Sequence, residues 1–120
     1  MARILCVEDD ADLLKLYTKV IRSFGHEVVV AANVFDGMEQ MESQDLHVLI
    51  TDWSLGREDA APLIMAARRK KIPVMAISGG ADGFAESFCK QADLYLQKPI
   101  GANEFFGFIR ELLVAAPLAG

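Results

Sequence analysis

Short apolar segments alternate with longer segments of helical periodicity along the whole chain. The apolar segments are residues 4–7, 27–31, 48–51, 73–78 and 94–97, each about the length of one strand. Between the first two, apolar residues recur at helical spacing: Leu13, Leu14, Tyr17, Val20, Ile21 and Phe24. Similar spacing predicts helices around residues 35–41, 63–67, 84–91 and 105–112. The pattern therefore predicts five strands and five helices in alternation.

Capping residues mark where several of these helices begin and end. Asp10 is predicted as the cap of the first helix, with Asp12 as a first-turn acid, because negative charge is favourable at a helix N-terminus. Gly25 follows the same helix at a position where glycine commonly ends helices. Asn33 is predicted as the cap of the second helix. The basic run at 68–71 is predicted as the solvated C-terminus of the third helix.

This alternation predicts an α/β fold in which helices cover both faces of a five-stranded parallel sheet. With 120 residues, the chain is expected to form one domain. Ligands of such sheets bind beyond the carboxyl ends of the strands, where the strand order reverses. In the order 2-1-3-4-5 that point lies between the first and third strands.

Composition narrows the classes of function. Hydrophobic residues make up 52% of the chain, which predicts a packed core, and the net charge of −5 argues against nucleic acid or an anionic membrane as the main partner. Cys6 and Cys89 provide neither a disulfide framework nor metal-ligand spacing. No apolar run reaches about 18 residues, and no signal peptide opens the chain. A cytoplasmic location is therefore expected.

Chemically useful side chains follow four of the five predicted strands. They are Glu8, Asp9 and Asp10 after the first strand, Asp52 after the third, Ser78 after the fourth, and Lys98 with Pro99 after the fifth. The fold brings them to one edge of the sheet. Carboxylates this close raise each other's pKa unless a cation intervenes, and oxygen ligands with room for water favour Mg²⁺. The dense acids after residue 7 are thus predicted to form a magnesium site.

This set of residues resembles the receiver domain of bacterial two-component response regulators, and the resemblance covers nearly the whole chain. It implies a flavodoxin-like (CheY-like) fold in which Asp52 accepts a phosphoryl group from a histidine kinase or a histidine phosphotransfer protein. It also implies that Mg²⁺ is held directly by Asp9, Asp52 and the backbone carbonyl of Ser54, and through water by Glu8. Lys98 would neutralise charge on the transferring oxygens, and the Ser78 hydroxyl would bind a phosphate oxygen. Such a domain is a phosphoacceptor switch, not an enzyme acting on an external substrate.

Tyr95 and the last helix are the candidates for the output of the switch. Tyr95 matches the family's switch aromatic and would turn inward on activation; the alternative is a half-buried strand tyrosine. In the last helix, the stripe of Phe105, Phe108, Ile109 and Leu112 is predicted to face the sheet. Phe106 and Leu113 lie on a neighbouring stripe. They are predicted to join the fourth helix and fifth strand in a homodimer or partner interface, and the alternative is that both pack under the fourth helix.

Two stretches depart from the pattern of the family. After Asp52 the family usually has a Met-Pro-Gly-like turn, whereas this chain has Leu55, Gly56 and Arg57, so the position of the Ser54 carbonyl is open. Trp53 is predicted as a partly exposed wall of the site. Three glycines between residues 79 and 83 predict that the fourth helix starts late or frays.

Two other functions are compatible with parts of the sequence. An aspartyl-nucleophile phosphatase would use Asp10 and Asp12 as a DxD motif, but the first strand ends before Asp10, and 120 residues leave little room for a substrate cap. A flavodoxin-like electron carrier would need hydroxyls and glycines after the first strand, where the acids of this chain would repel a phosphate. Whether the receiver stands alone or belongs to a longer response regulator or hybrid histidine kinase stays open.

Overall fold

The computed structural model describes residues 2–79, 92–98 and 101–115. Seven strands and four helices lie in these ranges. In chain order they are β1 (Arg3–Val7), α1 (Ala11–Ser23), β2 (Glu27–Ala31), α2 (Val34–Ser43), β3 (Val48–Asp52), β4 (Ser54–Leu55), β5 (Glu58–Asp59), α3 (Ala61–Arg69), β6 (Val74–Ser78), β7 (Leu94–Gln97) and α4 (Ala102–Ala115). The predicted helix at 84–91, together with Cys89 and Pro99, lies outside the described residues. The predicted fifth helix is therefore α4 here.

Five of the strands form one parallel sheet in the order β2-β1-β3-β6-β7. This confirms the predicted order 2-1-3-4-5, because β6 and β7 are the fourth and fifth apolar segments of the sequence. Every residue of β3 and β6 is buried, as expected for central strands that are covered on both faces. The pair β4–β5 is a separate antiparallel hairpin that the sequence pattern did not predict.

The predicted caps are confirmed. The Asp10 carboxylate accepts the backbone N–H groups of Asp12 and Leu13 at 3.0 and 3.2 Å, and Asn33 accepts that of Asp36 at 2.8 Å. Gly25 follows Phe24, the C-cap of α1, and has a φ of +83°, a conformation that glycine adopts without steric cost. These local bonds fix where α1 and α2 begin. The bonds of Asp10 thereby also hold the loop that carries Glu8 and Asp9.

The core consists of two layers, one on each face of the sheet. The α2/α3 core contains Leu5, Val7, Leu49, Val74 and Ala76 of the strands with Met41, Leu63 and Ile64 of the helices. The α1/α4 core contains Ile4, Cys6, Ile50, Met75 and Ile77 with Tyr17, Ile21, Phe105, Ile109 and Leu112. The rings of Tyr17 and Phe105 stack with their centroids 4.8 Å apart. Since Phe108 also packs against this core, the predicted sheet-facing stripe of α4 is confirmed.

The Trp53 side chain does not lie where the sequence placed it, and the apolar side chain of Phe35 is exposed. Trp53 was predicted as a partly exposed wall of the site, but it is only 4% exposed and belongs to the α2/α3 core. The alternation of side chains between the two faces of β3 continues through Trp53, so its ring lies on the same face of the sheet as Leu49, four residues earlier. Phe35 has helical spacing with Met38 and Met41, yet it is 69% exposed.

Candidate functional site

Four strands bring the predicted site residues to one edge of the sheet. Glu8 directly follows β1, Asp52 and Ser78 are the last residues of β3 and β6, and Lys98 directly follows β7. Asp52 is level with Ile77 across the β3–β6 pair, and Ser78 is level with Gln97 across the β6–β7 pair. The side chains therefore meet at the carboxyl edge, next to the place where the strand order reverses.

Lys98 bridges two buried carboxylates. Its Nζ lies 2.8 Å from Asp52 Oδ2 and 3.3 Å from Glu8 Oε2. The side chain of Glu8 is 1% exposed and that of Asp52 is 7% exposed, whereas that of Lys98 is 24% exposed. Charges removed from water in this way cost desolvation free energy, and replacing them by apolar groups is often neutral or stabilising. The cluster is therefore better explained by chemistry than by stability.

Burial and neighbouring charges shift the pKa values of this cluster. Burial, reinforced by the Asp52 carboxylate, raises the pKa of Glu8 to about 7, although the backbone N–H of Asp10 and the Lys98 ammonium act in the opposite direction. Burial lowers the pKa of Lys98, but the bonds and charges of Asp52 and Glu8 outweigh it, so the net shift is upward. Lys98 is thus charged near neutral pH, while Glu8 exchanges a proton there.

Asp9 connects the first acidic loop to the hairpin that follows Asp52. Its Oδ2 accepts the backbone N–H of Gly56 at 2.9 Å, and Gly56 sits in the turn between β4 and β5 with a φ of +67°. The Ser54 N–H donates to Asp52 Oδ1 at 3.3 Å. One carboxylate oxygen from each of Glu8, Asp9 and Asp52 lies within 4.8 Å of the others. The three residues could hold a metal ion.

An open cleft of about 470 Å³ lies over these groups. It is lined by Glu8, Asp9, Asp10, Asp52, Ser54, Gly56, Gly79 and Lys98. All but the two glycines present a charged or hydroxyl side chain. A cleft of this size and polarity is suited to a small charged group, not to an apolar ligand.

Ser78 and Tyr95 lie beside the cleft. Ser78 is 4% exposed, and its carbonyl accepts the Lys98 N–H at 2.8 Å. Tyr95 is level with Ala76 across the β6–β7 pair and packs against the α2/α3 core. Its hydroxyl oxygen is buried and has no hydrogen-bond partner among the described residues. Tyr95 is therefore partly buried, as both interpretations of the sequence allowed.

Phe106 and Leu113 of α4 are both partly buried. The ring of Phe106 contacts that of Phe24 at the end of α1, and Leu113 packs against the α1/α4 core. Their predicted role in an interface stays a prediction. Because the predicted fourth helix lies outside the described residues, its packing against either side chain stays a prediction as well.

Sequence reasoning missed the bond between Asp9 and Gly56. It joins residues 47 positions apart, and nothing in the local pattern pairs them. A weak signal was present, because Gly56 and Arg57 form a glycine-containing pair that could make the two-residue turn of a hairpin.

The family model of the response regulator receiver domain matches residues 4–110. The chain belongs to this family. It is a receiver domain of two-component signal transduction. Receiver domains of response regulators act as switches rather than as catalysts, and histidine kinases phosphorylate them.

Two curated relatives show similar proteins. Regulatory protein VirG of Rhizobium rhizogenes is 26% identical over 122 residues, which cover 98% of this chain and 50% of VirG. Transcriptional regulatory protein TcrA of Mycobacterium tuberculosis is 26% identical over 120 residues, which cover 97% of this chain and 47% of TcrA. The chain thus spans about half the length of these relatives.

Solved structures agree with the fold. A CheY-like receiver domain protein from Methanospirillum hungatei JF-1 has a TM-score of 0.89 and 25% identity, covering 95% of this chain and 94% of that one. TrrA from Thermotoga maritima, in complex with Mg²⁺ and BeF, has a TM-score of 0.84 and 21% identity, covering 94% and 100%. No helix in the described ranges has the length and apolar character needed to cross a bilayer.

Proposed function

We propose that Asp52 is the phosphoacceptor of this receiver domain and that residues 1–120 form one such domain. The observation that carries the assignment is the 2.8 Å pair between Lys98 Nζ and Asp52 Oδ2 inside a group of three carboxylates. Asp52 ends the central strand β3, and its side chain lines the open cleft. Glu8 also pairs with Lys98 and lines the cleft, but Asp52 makes the shorter ion pair, 2.8 against 3.3 Å, and its side chain is the more accessible, 7% against 1% exposed.

The reaction requires little covalent chemistry from the other residues. An Asp52 carboxylate oxygen attacks the phosphorus atom of the donor, a P–O bond forms, and the bond from phosphorus to the donor breaks. With a phosphohistidine donor, the breaking bond is P–N and the imidazole leaves with its electron pair. Lys98 faces the transferring oxygens and offsets their charge, and the Ser78 hydroxyl at the end of β6 donates to a phosphate oxygen.

The donor set fits Mg²⁺. The three acidic side chains supply carboxylate oxygens, which Mg²⁺ prefers as ligands. One oxygen of each lies within 4.8 Å of the others, so direct binding of one ion would draw the Asp9 and Asp52 carboxylates closer together. Asp9, Asp52 and the Ser54 carbonyl would hold the ion directly, and Glu8 would hold it through water. When bound, the ion supplies positive charge to the transferring oxygens; TrrA, a structural neighbour, was solved with Mg²⁺ and BeF.

The proposed partners follow from this chemistry. The donor is a sensor histidine kinase or a histidine phosphotransfer protein. The output is a change in protein binding, through Ser78 and Tyr95 to the face that contains Phe106 and Leu113. A cytoplasmic location remains a prediction. So does the expectation that the chemistry of the domain is limited to self-phosphorylation and autodephosphorylation.

A second possibility is that this receiver is part of a longer response regulator or hybrid histidine kinase. It is favoured by one observation, that VirG and TcrA are about twice the length of this chain. The aspartyl-nucleophile phosphatase is disfavoured, because the Asp10 carboxylate that it would use is bonded to two N–H groups at the start of α1.

The test is intact mass spectrometry after incubation with acetyl phosphate and Mg²⁺. We expect one phosphoryl adduct on the wild type and none on Asp52→Asn. Asp12→Asn is the matched control, because it removes an exposed acid four residues from Glu8 without touching the cleft, and it should phosphorylate normally. An undiminished adduct on Asp52→Asn would exclude Asp52 as the acceptor.

A further inference from the structure

A second groove lies away from the carboxylate cleft, between α1 and the open edge of the sheet. Its volume is about 590 Å³, and it is lined by Val30 of β2 and by Ala11, Leu14, Lys15, Thr18, Lys19 and Arg22 of α1. Val30 is 45% exposed, and Leu14 is half-buried against the α1/α4 core. The floor of the groove is therefore apolar and accessible.

The edge strand β2 is uncovered at this groove. Among the described strands it pairs only with β1. The Glu27 N–H donates to the Ala2 carbonyl, and the Ala31 carbonyl accepts the Glu8 N–H. In a parallel sheet, successive residues of a strand point their backbone N–H and C=O groups to opposite sides of the strand. Residues 27, 29 and 31 therefore point these groups to β1, and residues 28 and 30 point theirs outward. Val30 thus exposes both its side chain and its backbone at an open edge, which proteins usually cover.

The walls of the groove are basic. Lys15, Lys19 and Arg22 are all exposed and are spaced four and three residues apart, so they form one stripe about 10 Å long on α1. None of them has a side-chain hydrogen bond or an ion pair within the described residues. No carboxylate lines the groove, although the chain carries a net charge of −5. An unneutralised cation stripe beside an apolar floor selects an acidic amphipathic partner.

We propose that this groove docks an acidic amphipathic helix of a partner protein. The helix lies beside α1, places apolar side chains on Leu14 and Val30, and directs carboxylates at the cation stripe. A helix fits better than a strand because the three cations repeat at helical spacing, so carboxylates at matching positions reach each one from an axis 8–10 Å away. It would be the next helix in the layer that α4 and α1 form over this face of the sheet.

The proposal does not depend on phosphorylation of Asp52, since the groove and the cleft share no lining residue. The probe is a synthetic helical peptide of about 14 residues, or four turns, with leucines on one face and glutamates flanking them. We expect NMR shift changes of the full chain to concentrate in residues 11–30. A peptide with lysines in place of the glutamates should not bind. Asp52→Asn should bind as the wild type does.

Charge reversal on the stripe separates this site from general electrostatic attraction. Lys19→Glu should weaken peptide binding roughly fivefold or more, and Val30→Asp should weaken it similarly. Arg69→Glu changes the net charge equally at an exposed position on α3 and should leave the affinity unchanged, and Met65→Asp is the control for Val30→Asp. Three results would overturn the proposal: equal losses of peptide affinity in the variants and their controls, NMR shift changes outside residues 11–30, or no binding of the acidic peptide. Lys19-dependent binding to phosphatidylserine vesicles without peptide binding would also overturn it, and would assign the groove to a membrane.

Discussion

Replacing Glu8 by glutamine should change how the stability of the domain depends on pH. Glu8 is the most deeply buried acid of the cluster, and its pKa is raised from an ordinary value of 4.5 to about 7. Glutamine keeps the oxygen that accepts the Asp10 N–H, but it does not titrate. The comparison of the two proteins in the absence of Mg²⁺ therefore isolates the ionisation of one buried carboxyl.

The sign follows from proton binding in the two states. Below pH 4.5 Glu8 is protonated both folded and unfolded. Between pH 4.5 and about 7 the unfolded chain releases this proton while the folded chain keeps it, so the free energy of unfolding falls as pH rises. A shift of this size corresponds to about 3 kcal/mol as an upper bound. Because the cleft is open to solvent, which screens the charges, we expect a fall of about 1–2 kcal/mol.

Urea denaturation at a series of pH values, in a chelating buffer, measures this effect. The quantity is the unfolding free energy of the wild type minus that of Glu8→Gln, which should fall between pH 4.5 and 7 and then level off. Glu39→Gln, at an exposed position of α2, is the matched control and should give a flat difference. A flat or rising difference for Glu8→Gln as well would show that Glu8 is ionised in the folded protein throughout this range.

Three further predictions test other parts of the site. Mg²⁺ should stabilise the wild type by RT ln(1 + [Mg²⁺]/Kd), about 1.4 kcal/mol at tenfold over Kd; Asp9→Ala should abolish this gain, and equal shifts in Tm for the two proteins would refute Asp9 as a ligand. Gly56→Ala should cost about 1 kcal/mol, because a Cβ there meets no atom within 4 Å and only the φ of +67° is unfavourable; an unchanged urea midpoint would contradict this. Phe106→Glu should remain folded and accept phosphate but lose association in sedimentation, whereas a collapsed fold would assign Phe106 to the core.

The sheet and the placement of the site residues were predictable for a physical reason. Strands buried on both faces are apolar along most of their length, so residues 48–50 of β3 and 74–77 of β6 stand out as continuous apolar runs. The parallel alternation then leaves little freedom in where their carboxyl ends lie. Asp52 and Ser78 are the last residues of β3 and β6, and Lys98 directly follows β7. The residue types and the fold together suffice to bring them to one edge.

The hairpin and the exposure of single side chains were not predictable in this way. Strands of two residues, such as β4 and β5, show no periodicity, and their pairing depends on a turn at Gly56. Phe35 and Met41 both belong to the pattern that predicted α2, but six residues place them about 120° apart around the helix, and Phe35 is 69% exposed whereas Met41 is 1% exposed. Periodicity gives the direction of a helix face but not the extent of the layer that covers it.

The three carboxylates of the cluster are similar in sequence but differ in environment. Glu8 is buried with a raised pKa, Asp9 is exposed and held by a backbone N–H, and Asp52 is paired with Lys98. When all are ionised, they and the Lys98 ammonium carry two negative charges in total, which a divalent cation brings to zero. A proton on Glu8 relieves the same repulsion less completely. Protons would therefore compete with Mg²⁺ for this cluster, and we expect its affinity for the metal to increase as pH rises through the pKa of Glu8.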